Sequence, residues 1–200
     1  MIRGILLAAG QGSRFGTDKL MQPITIEGDL DSSGVNPPSI ALITASRLIA
    51  TLPDSIAVCR PEQTLLQQQL TDLGFTIEIC DRAELGMGFS LATGVAACAA
   101  TDDLLVCLAD MPYVKAITLE KIVMVLQTGA ALVQPVYQQR PGNPVAINHR
   151  FRQQLLEPEG DFGARQLLKQ YADEIAYLEV TDAGVVMDID RPEDLNQKLT

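Results

Sequence analysis

The first apolar run of the chain leads into a segment that combines small, flexible residues with positive charge. This segment contains Gly10, Gly12 and Gly16, together with Arg14 and Lys19. Because glycine has no Cβ, the backbone can turn sharply there and bring its N–H groups close to a ligand. Backbone N–H groups beside two cations form a site for an anion, so the segment predicts the binding of phosphate.

The spacing of these residues separates the segment from two other phosphate-binding motifs. A dinucleotide fingerprint needs G-x-G-x-x-G and an acid at the end of the second strand. Here the third glycine comes one position late and the predicted second strand ends at Cys59-Arg60, which argues against a nicotinamide-dependent oxidoreductase. A P-loop needs a lysine between glycine and Ser or Thr, and Lys19 has neither neighbour. A turn that serves packing alone is the remaining alternative, but it would not need Arg14 and Lys19.

We expect the amides of this loop to cradle a triphosphate while two side chains neutralise its charge. Arg14 and Lys19 are the predicted catalytic cations. A further nucleotide contact is predicted at Gly88 and Ser90, near the start of a helix, although a simple loop–helix junction is an equal alternative. The predicted nucleotide-binding residues of the first loop are Leu7, Ala8, Ala9, Gly10, Gly12, Ser13, Arg14 and Lys19.

An acid follows a later buried strand. An apolar run at 104–108 predicts the strand, and Asp110 comes at its carboxyl end, before Met111 and Pro112. Ligands of open α/β sheets bind outside the carboxyl ends of the strands, and carboxylate oxygens suit Mg²⁺. We therefore expect Asp110 to be catalytic and to hold Mg²⁺ against phosphates, with a solvated turn aspartate as the alternative.

The elements that must position these groups alternate between strand-like and helical patterns. This alternation predicts an α/β fold with a parallel sheet and helices on both faces, in one domain spanning residues 1–200. A last strand is predicted at 184–190, closing on two acids, before a helix opened by Pro192. The other predicted strands lie at 5–8, 55–59, 76–80, 104–108, 131–136 and 145–147. The other predicted helices lie at 39–52, 61–74, 118–128 and 149–156, with one more that follows Gly88 and runs to about residue 100 and one that contains Leu167 and Leu168.

The composition limits the class of protein. With 47% hydrophobic and 20% charged residues, the 200-residue chain has an ordinary globular composition. Its net charge of −10 argues against nucleic acid or an anionic membrane as a partner. No apolar stretch is long enough for a signal peptide or a membrane span, so a cytoplasmic location is expected. Four separated cysteines and one histidine argue against zinc, and the cysteines are expected to be small buried hydrophobes.

Six segments, taken in their order and spacing, resemble those of the molybdenum cofactor cytidylyltransferases and related nucleoside-triphosphate transferases. The resemblance spans nearly the whole chain. The segments are L-A-A-G-Q-G-S-R-F-G-T-D-K-L at 7–20, G-M-G-F-S-L at 86–91, L-A-D-M-P at 108–112, R-P-G-N-P at 140–144, G-D-F-G-A-R at 160–165 and D-I-D-R-P-E-D at 188–194.

The resemblance implies a three-layer α/β/α Rossmann-like fold with a mostly parallel sheet and the nucleotide over the first loop. It also implies that Asp110 and an acid of the 188–190 segment hold Mg²⁺, or Mn²⁺ in its place, with Asp188 and Asp190 as the candidates. The residues that would bind the second substrate are Gly142, Asn143 and Arg165.

Members of this family move CMP from CTP, or GMP from GTP, onto the terminal phosphate of molybdopterin and release pyrophosphate. We expect CTP here, with GTP or another small phosphorylated acceptor as the alternative. The family's usual G-H-P is Gly142-Asn143-Pro144 in this chain, which leaves the acceptor open, and the acidic segment 25–38 is longer than expected. An alternative of another class is a non-catalytic protein that delivers the cofactor to a molybdoenzyme, against which Arg14, Lys19 and Asp110 argue.

Overall fold

The computed structural model of the chain describes residues 1–10, 18–26, 37–157 and 163–196. The strands are β1 (Ile2–Leu7), β2 (Ile56–Cys59), β3 (Thr76–Ile79), β4 (Asp103–Leu108), β5 (Leu132–Tyr137), β6 (Arg140–Pro141), β7 (Val145–Ile147) and β8 (Ile175–Glu179). The α-helices are α1 (Ile40–Thr51), α2 (Thr64–Asp72), α3 (Met87–Ala97), α4 (Ala116–Gln127), α5 (Arg152–Leu156) and α6 (Arg165–Gln170).

These strands form one mixed sheet in which β1 and β4 lie next to each other near the centre. The order is β3-β2-β1-β4-β7-β5, with β6 and β8 also paired to β5. β1 is parallel to β2 and β4, β2 is parallel to β3, and β5 is parallel to β8. Because only β7 and the two-residue β6 are reversed, the predicted mostly parallel sheet is confirmed.

Helices cover both faces of the sheet. Alternate residues of a strand point to opposite faces, so Leu6 of β1 packs in the cluster that includes residues of α1, α2 and α4. Ile5 and Leu7 pack on the other face with residues of α3, α5 and α6. α3 approaches the sheet closely at Gly94, where an added Cβ would lie 2.7 Å from a methyl carbon of Ile5. The three-layer arrangement expected from the sequence is therefore present.

Two parts of the predicted element pattern are wrong, and two strands, the two-residue β6 and β8, were not predicted. Residues 184–190 do not form a strand, because their backbone bonds to neighbouring loops: Val185 O accepts from Asn143 N, and Ile189 N donates to Asp110 O. Ala183–Val186 is a 3₁₀ helix instead. Helix α2 begins at Thr64 and not at Pro61. β8 was not predicted, and none of its residues is fully buried, which explains its weak sequence signal.

The four cysteines are all buried, which confirms that they serve as small hydrophobes. Burial raises the pKa of Cys59 to about 12 and that of Cys98 to about 11, so both stay protonated thiols at neutral pH. In the parts of the chain that the structure covers, no helix has the length and apolar character needed to cross a membrane.

Candidate functional site

Three carboxylates meet at the edge of the sheet where β4 ends. Asp110 follows β4, whereas Asp188 and Asp190 come from the segment after the 3₁₀ helix Ala183–Val186. One carboxylate oxygen from each lies within 4.8 Å of the others. A group of hard oxygen ligands with this spacing suits a divalent cation. The structure thus brings together all three acids that the sequence singled out for metal binding.

Helix α1 fixes the loop that carries the first of these acids. Thr44 Oγ1 donates to the carbonyl of Ala109 at 3.3 Å. Arg47 Nη1 donates to the carbonyl of Val114 at 2.8 Å and also to that of Pro112. Three carbonyls of the loop are therefore held by side chains from a single helix, which limits the directions in which the loop can move.

A second set of bonds ties the C-terminal acids to the same loop. Ile189 N donates to Asp110 O at 2.9 Å, so the segment between Asp188 and Asp190 is joined to the first acid through the backbone. Upstream, Asp182 is only 3% exposed and anchors the segment to the start of α4. Its carboxylate accepts hydrogen bonds from Lys115 N at 2.9 Å, Thr118 Oγ1 at 2.6 Å and Gly184 N at 3.0 Å.

Lys19 provides the positive charge inside this cluster. Its Nζ lies 2.8 Å from Asp110 Oδ2 and 3.2 Å from Asp190 Oδ1, and its side chain is only 9% exposed. Burial by itself lowers the pKa of Lys19, but the charges and hydrogen bonds of Asp110 and Asp190 outweigh it, so the pKa is raised above its ordinary value. Lys19 is therefore a fixed cation at neutral pH.

The positive charge of Lys19 has little influence on Asp188. Although Asp188 is exposed, the surrounding protein atoms partly desolvate its carboxyl, and this, with the charges of Asp190 and Asp110, raises its pKa. The attraction of Lys19 is the smallest influence on it. A bound cation would relieve the mutual repulsion of Asp110, Asp188 and Asp190.

The predicted phosphate loop begins one strand away from this cluster. Leu7 ends β1, which pairs with β4, and Ala109 N donates to Leu7 O at 3.1 Å. Ala8 N donates to Val58 O at 2.9 Å, and Gly10 is exposed at the carboxyl end of the sheet. Gly12, Ser13 and Arg14 lie outside the described residues, as does most of the acidic segment, so the expectations for them stay predictions.

The other predicted nucleotide contacts belong to the start of α3. Gly88 lies inside the first turn of this helix and not before it, and Ser90 is buried. Gly163 lies beside Met87, where an added Cβ would come within 3.1 Å of the sulfur. The first turn of α6, with Arg165 exposed, is thereby placed next to the first turn of α3.

A cavity of about 210 Å³ opens directly beside the acids. Gly142 and Asn143 line it, as predicted for substrate-binding residues, whereas Arg165 does not. Arg140 also lines it, although the sequence analysis gave this cation no role beyond its place in the R-P-G-N-P motif. Leu108, Met111, Pro141, Val185, Val186 and Asp188 complete the wall.

Two further side chains at the loop were missed by sequence reasoning. Arg60 and Gln63 follow β2 and donate hydrogen bonds to the carbonyls of Ala8, Ala9 and Gly10. The only available signal was a basic residue at the end of β2, where a dinucleotide-binding protein would carry an acid. That signal argues against a dinucleotide-binding site, but it does not identify the hydrogen bonds that Arg60 and Gln63 make.

Comparisons with known proteins identify relatives in sequence and in fold. Purine catabolism protein PucB of Bacillus subtilis (strain 168) is 29% identical over 201 residues, covering 96% of this chain and 92% of the relative. The crystal structure of Rv0371c from Mycobacterium tuberculosis H37Rv superposes with a TM-score of 0.80 at 20% identity, covering 97% of this chain and 95% of that one. Its complex with manganese gives a TM-score of 0.77 at 19% identity, covering 96% of this chain and 94% of that one.

A third neighbour is molybdopterin-guanine dinucleotide biosynthesis protein A from Archaeoglobus fulgidus. It superposes with a TM-score of 0.66 at 16% identity and covers 97% of this chain and 95% of that one. These structural likenesses confirm the predicted fold. The family model described as the MobA-like NTP transferase domain matches residues 4–175. This range includes the predicted phosphate loop, Asp110 and the R-P-G-N-P segment at 140–144. The resemblance inferred from the motifs is therefore confirmed, and the chain belongs to the MobA-like NTP transferase family.

Proposed function

We propose that the protein transfers CMP from CTP onto the terminal phosphate of molybdopterin and releases pyrophosphate in a Mg²⁺-dependent reaction. The observation that carries this proposal is the position of the acidic cluster at the end of β4, where β4 pairs with β1 on one side and the cavity lined by Gly142 and Asn143 lies beside Asp188. A donor at the loop and an acceptor in the cavity would meet at the acids. We further propose that residues 1–200 act as one nucleotidyltransferase domain, which the family match over 4–175 supports.

The loop and Lys19 are proposed to bind the triphosphate. Nucleotidyl transfer depends on alignment of the reacting groups and on cations that stabilise charge on phosphate oxygens. The amides of Ala9 and Gly10 supply hydrogen-bond donors, and Lys19 supplies a buried positive charge beside Asp110. Arg14 is proposed to add a second cation on the side of the departing pyrophosphate.

The acidic cluster fits a divalent cation. Carboxylate oxygens are the ligands that Mg²⁺ and Mn²⁺ take, and those of Asp110, Asp188 and Asp190 converge within 4.8 Å. Desolvation, together with the charges of Asp190 and Asp110, raises the pKa of Asp188, and a bound cation would offset both effects. When bound, such a cation neutralises phosphate oxygens and makes the phosphorus more electrophilic.

The acceptor needs no general base from the protein. A terminal phosphate is already ionised at neutral pH, because its second pKa is about 6. Arg140 and Asn143 line the cavity beside Asp188, and both have side chains that can donate hydrogen bonds. These groups are proposed to hold the acceptor so that its phosphate oxygen faces the α-phosphorus of the nucleotide.

Two observations favour a related transfer as a second candidate. Asn143 stands in the cavity where the family usually has histidine, which favours a different small phosphorylated acceptor. A structural neighbour named for molybdopterin-guanine dinucleotide biosynthesis favours GTP as the donor. Both alternatives keep the same roles for the loop, Lys19 and Asp110, and they differ only in the two substrates.

Pyrophosphate release tests the proposal and its alternatives together. The protein is incubated with each of CTP, GTP, ATP and UTP, with molybdopterin or with sugar phosphates as acceptors, in the presence of Mg²⁺ or Mn²⁺. We expect release with CTP and molybdopterin, and its loss in Asp110→Asn. Release with GTP or with another acceptor would replace the corresponding substrate, and absence of release in every combination would contradict nucleotidyl transfer.

A further inference from the structure

Three successive carbonyls at the carboxyl end of β1 are held by side chains from the connection between β2 and α2. Gln63 Nε2 donates to Ala8 O at 3.1 Å. Arg60 Nη1 donates to Ala9 O at 3.3 Å and also to Gly10 O. We call Arg60 and Gln63 the carbonyl clamp, because together they bond every carbonyl from Ala8 to Gly10.

Both members of the clamp are themselves fixed. Gln63 is only 4% exposed, and its Oε1 accepts a hydrogen bond from Arg60 N at 2.8 Å. This bond orients the Gln63 amide, since the oxygen faces Arg60 and the nitrogen must then face Ala8. Arg60 Nε donates to Glu62 Oε1 at 2.6 Å, which restrains the guanidinium from the other side.

The direction of these carbonyls determines the direction of the amides that follow them. In a trans peptide the C=O of one residue and the N–H of the next point to opposite sides of the chain. Among the described residues the only cis peptide is Asn143-Pro144, so the peptides after Ala8 and Ala9 are trans. The N–H groups of Ala9 and Gly10 therefore point away from the clamp.

Those two N–H groups are available to a ligand. Within the described part of the chain, neither Ala9 N nor Gly10 N donates to a protein acceptor, although Ala9 itself is buried. Successive N–H groups on one side of the backbone form a concave anion-binding surface. Buried amides without partners are rare, so the buried amide of Ala9 points to an anion as its partner.

We propose that Arg60 and Gln63 are positioning residues for nucleotide binding. They turn the Ala8–Gly10 carbonyls away from the phosphates and so present the following amides to them before the nucleotide arrives. This inference rests on the proposed function, in which the anion is a nucleoside triphosphate. Without the clamp the peptides can rotate, and a carbonyl dipole facing a phosphate oxygen repels it while the corresponding amide is lost.

Binding of a polyphosphate tests the clamp separately from the transfer reaction. Inorganic tripolyphosphate and CTP, each with Mg²⁺, are titrated by calorimetry into the wild type, Gln63→Met and Arg60→Lys. Gln63→Met keeps the side-chain volume and the net charge but removes the donor to Ala8 O. Arg60→Lys keeps the charge but replaces the planar guanidinium by a point donor that cannot hold both carbonyls in the same way.

We expect the dissociation constant of both probes to rise about tenfold in Gln63→Met and by a similar factor in Arg60→Lys, as for loss of one to two hydrogen bonds. In turnover, KM for the nucleotide should rise while KM for the acceptor stays unchanged. The matched control is Gln67→Ala, since Gln67 lies one turn after Gln63, in α2, and its side-chain amide donates to the carbonyls of Arg60 and Pro61 and not to those at the end of β1. Its affinity for the probes should match the wild type.

The outcomes separate the clamp from the proposed function. If the wild type binds the probes and the dissociation constants of both clamp variants are within twofold of the wild-type values, the clamp proposal is overturned and the proposed function stands. Equal weakening in Gln67→Ala would also overturn the clamp, because it would reduce the effect to general loosening of the turn. If the wild type binds neither probe, both inferences are overturned. Urea denaturation of each variant confirms that the comparison is made on folded protein.

Discussion

The charge of Asp188 should lower the stability of the metal-free protein. The three carboxylates converge within 4.8 Å, and Lys19 is hydrogen-bonded to Asp110 and Asp190. Two unit charges about 5 Å apart in water-like surroundings repel by ~0.8 kcal/mol. Asp188 faces two such neighbours, and Lys19 offsets part of the repulsion. Because Asp188 is exposed, the larger repulsion energy of a low-dielectric interior does not apply. Asp188→Asn should therefore stabilise the metal-free protein by about 1 kcal/mol at pH 7.5.

The pH dependence of this gain follows from the direction of the pKa shift. The folded protein raises the pKa of Asp188 above the ordinary value of 3.8, so the folded state holds this proton more tightly than the unfolded chain. The penalty on the wild type is absent below the ordinary pKa and is fully developed above the raised one. The difference between Asp188→Asn and the wild type should therefore disappear as the pH falls towards 3.8.

Thermal unfolding with and without metal measures the effect. About 1 kcal/mol corresponds to a rise in Tm of about 2–4 °C for a chain of this length. Saturating Mg²⁺ should reverse the order, because a ligand present at about a hundred times its Kd stabilises the wild type by about 2.7 kcal/mol. Asp188→Asn should also release pyrophosphate about a hundredfold more slowly, as for loss of one charge-stabilising group.

Asp110→Asn is the matched control for this experiment. Asp110 holds the ammonium of Lys19 at 2.8 Å, so its replacement should lower the Tm of the metal-free protein and not raise it. A metal-free Asp188→Asn protein that melts below the wild type at pH 7.5 would refute the reasoning about repulsion. Equal stabilisation by both substitutions would show that the charge of the whole cluster matters and not the particular place of Asp188.

Three further predictions concern the groups around the acids. Lys19→Met should lower the free energy of unfolding by about 1–3 kcal/mol in urea titrations; since the pKa of Lys19 is raised above 10.5, the difference should persist at pH 9–10 and fade only above that range. Asp182→Asn should cost about 1–3 kcal/mol by the same measurement, because an amide nitrogen replaces one of two accepting oxygens; an unchanged midpoint would contradict its anchoring role. Gly142→Ala should raise KM for the acceptor but leave the Kd for nucleotide unchanged, because the new Cβ would collide with the Val185 backbone beside the cavity.

Sequence reasoning pointed to the candidate site where the proposed chemistry restricts the residue types within a short window. A phosphate loop needs glycines and cations close together, and the window from Gly10 to Lys19 supplies both. Asp110 was recognisable because it follows an apolar strand at the edge where α/β sheets bind ligands. The three-layer fold was recognisable for a similar reason, since the strand and helix patterns of the first half alternate regularly.

The contacts that orient the site were not predictable in this way. Arg60 and Gln63 act on carbonyls about fifty residues earlier in the chain, and nothing in a local window marks a side chain as a donor to a distant backbone. Asp182 resembles any turn aspartate in sequence, yet its carboxylate is buried against the start of α4, where it accepts a hydrogen bond from Lys115 N. The predicted strand at 184–190 was wrong because its apolar residues pack at the edge of the sheet without joining the ladder.

The segment 184–190, which was predicted to be a strand, shows how the acids can be held together against their own repulsion. Asp110 is fixed by β4, which pairs with β1 and β7 on its two sides. Asp188 and Asp190 are fixed through backbone bonds to the loops around β4, and these bonds do not depend on the charge state of any side chain. The cluster therefore keeps its spacing whether Lys19 alone or an additional cation neutralises it. Electrostatic stabilisation of a transition state requires such a prior arrangement. If dipoles and charges must first be reoriented, the free energy of reorienting them cancels most of the stabilisation that they provide.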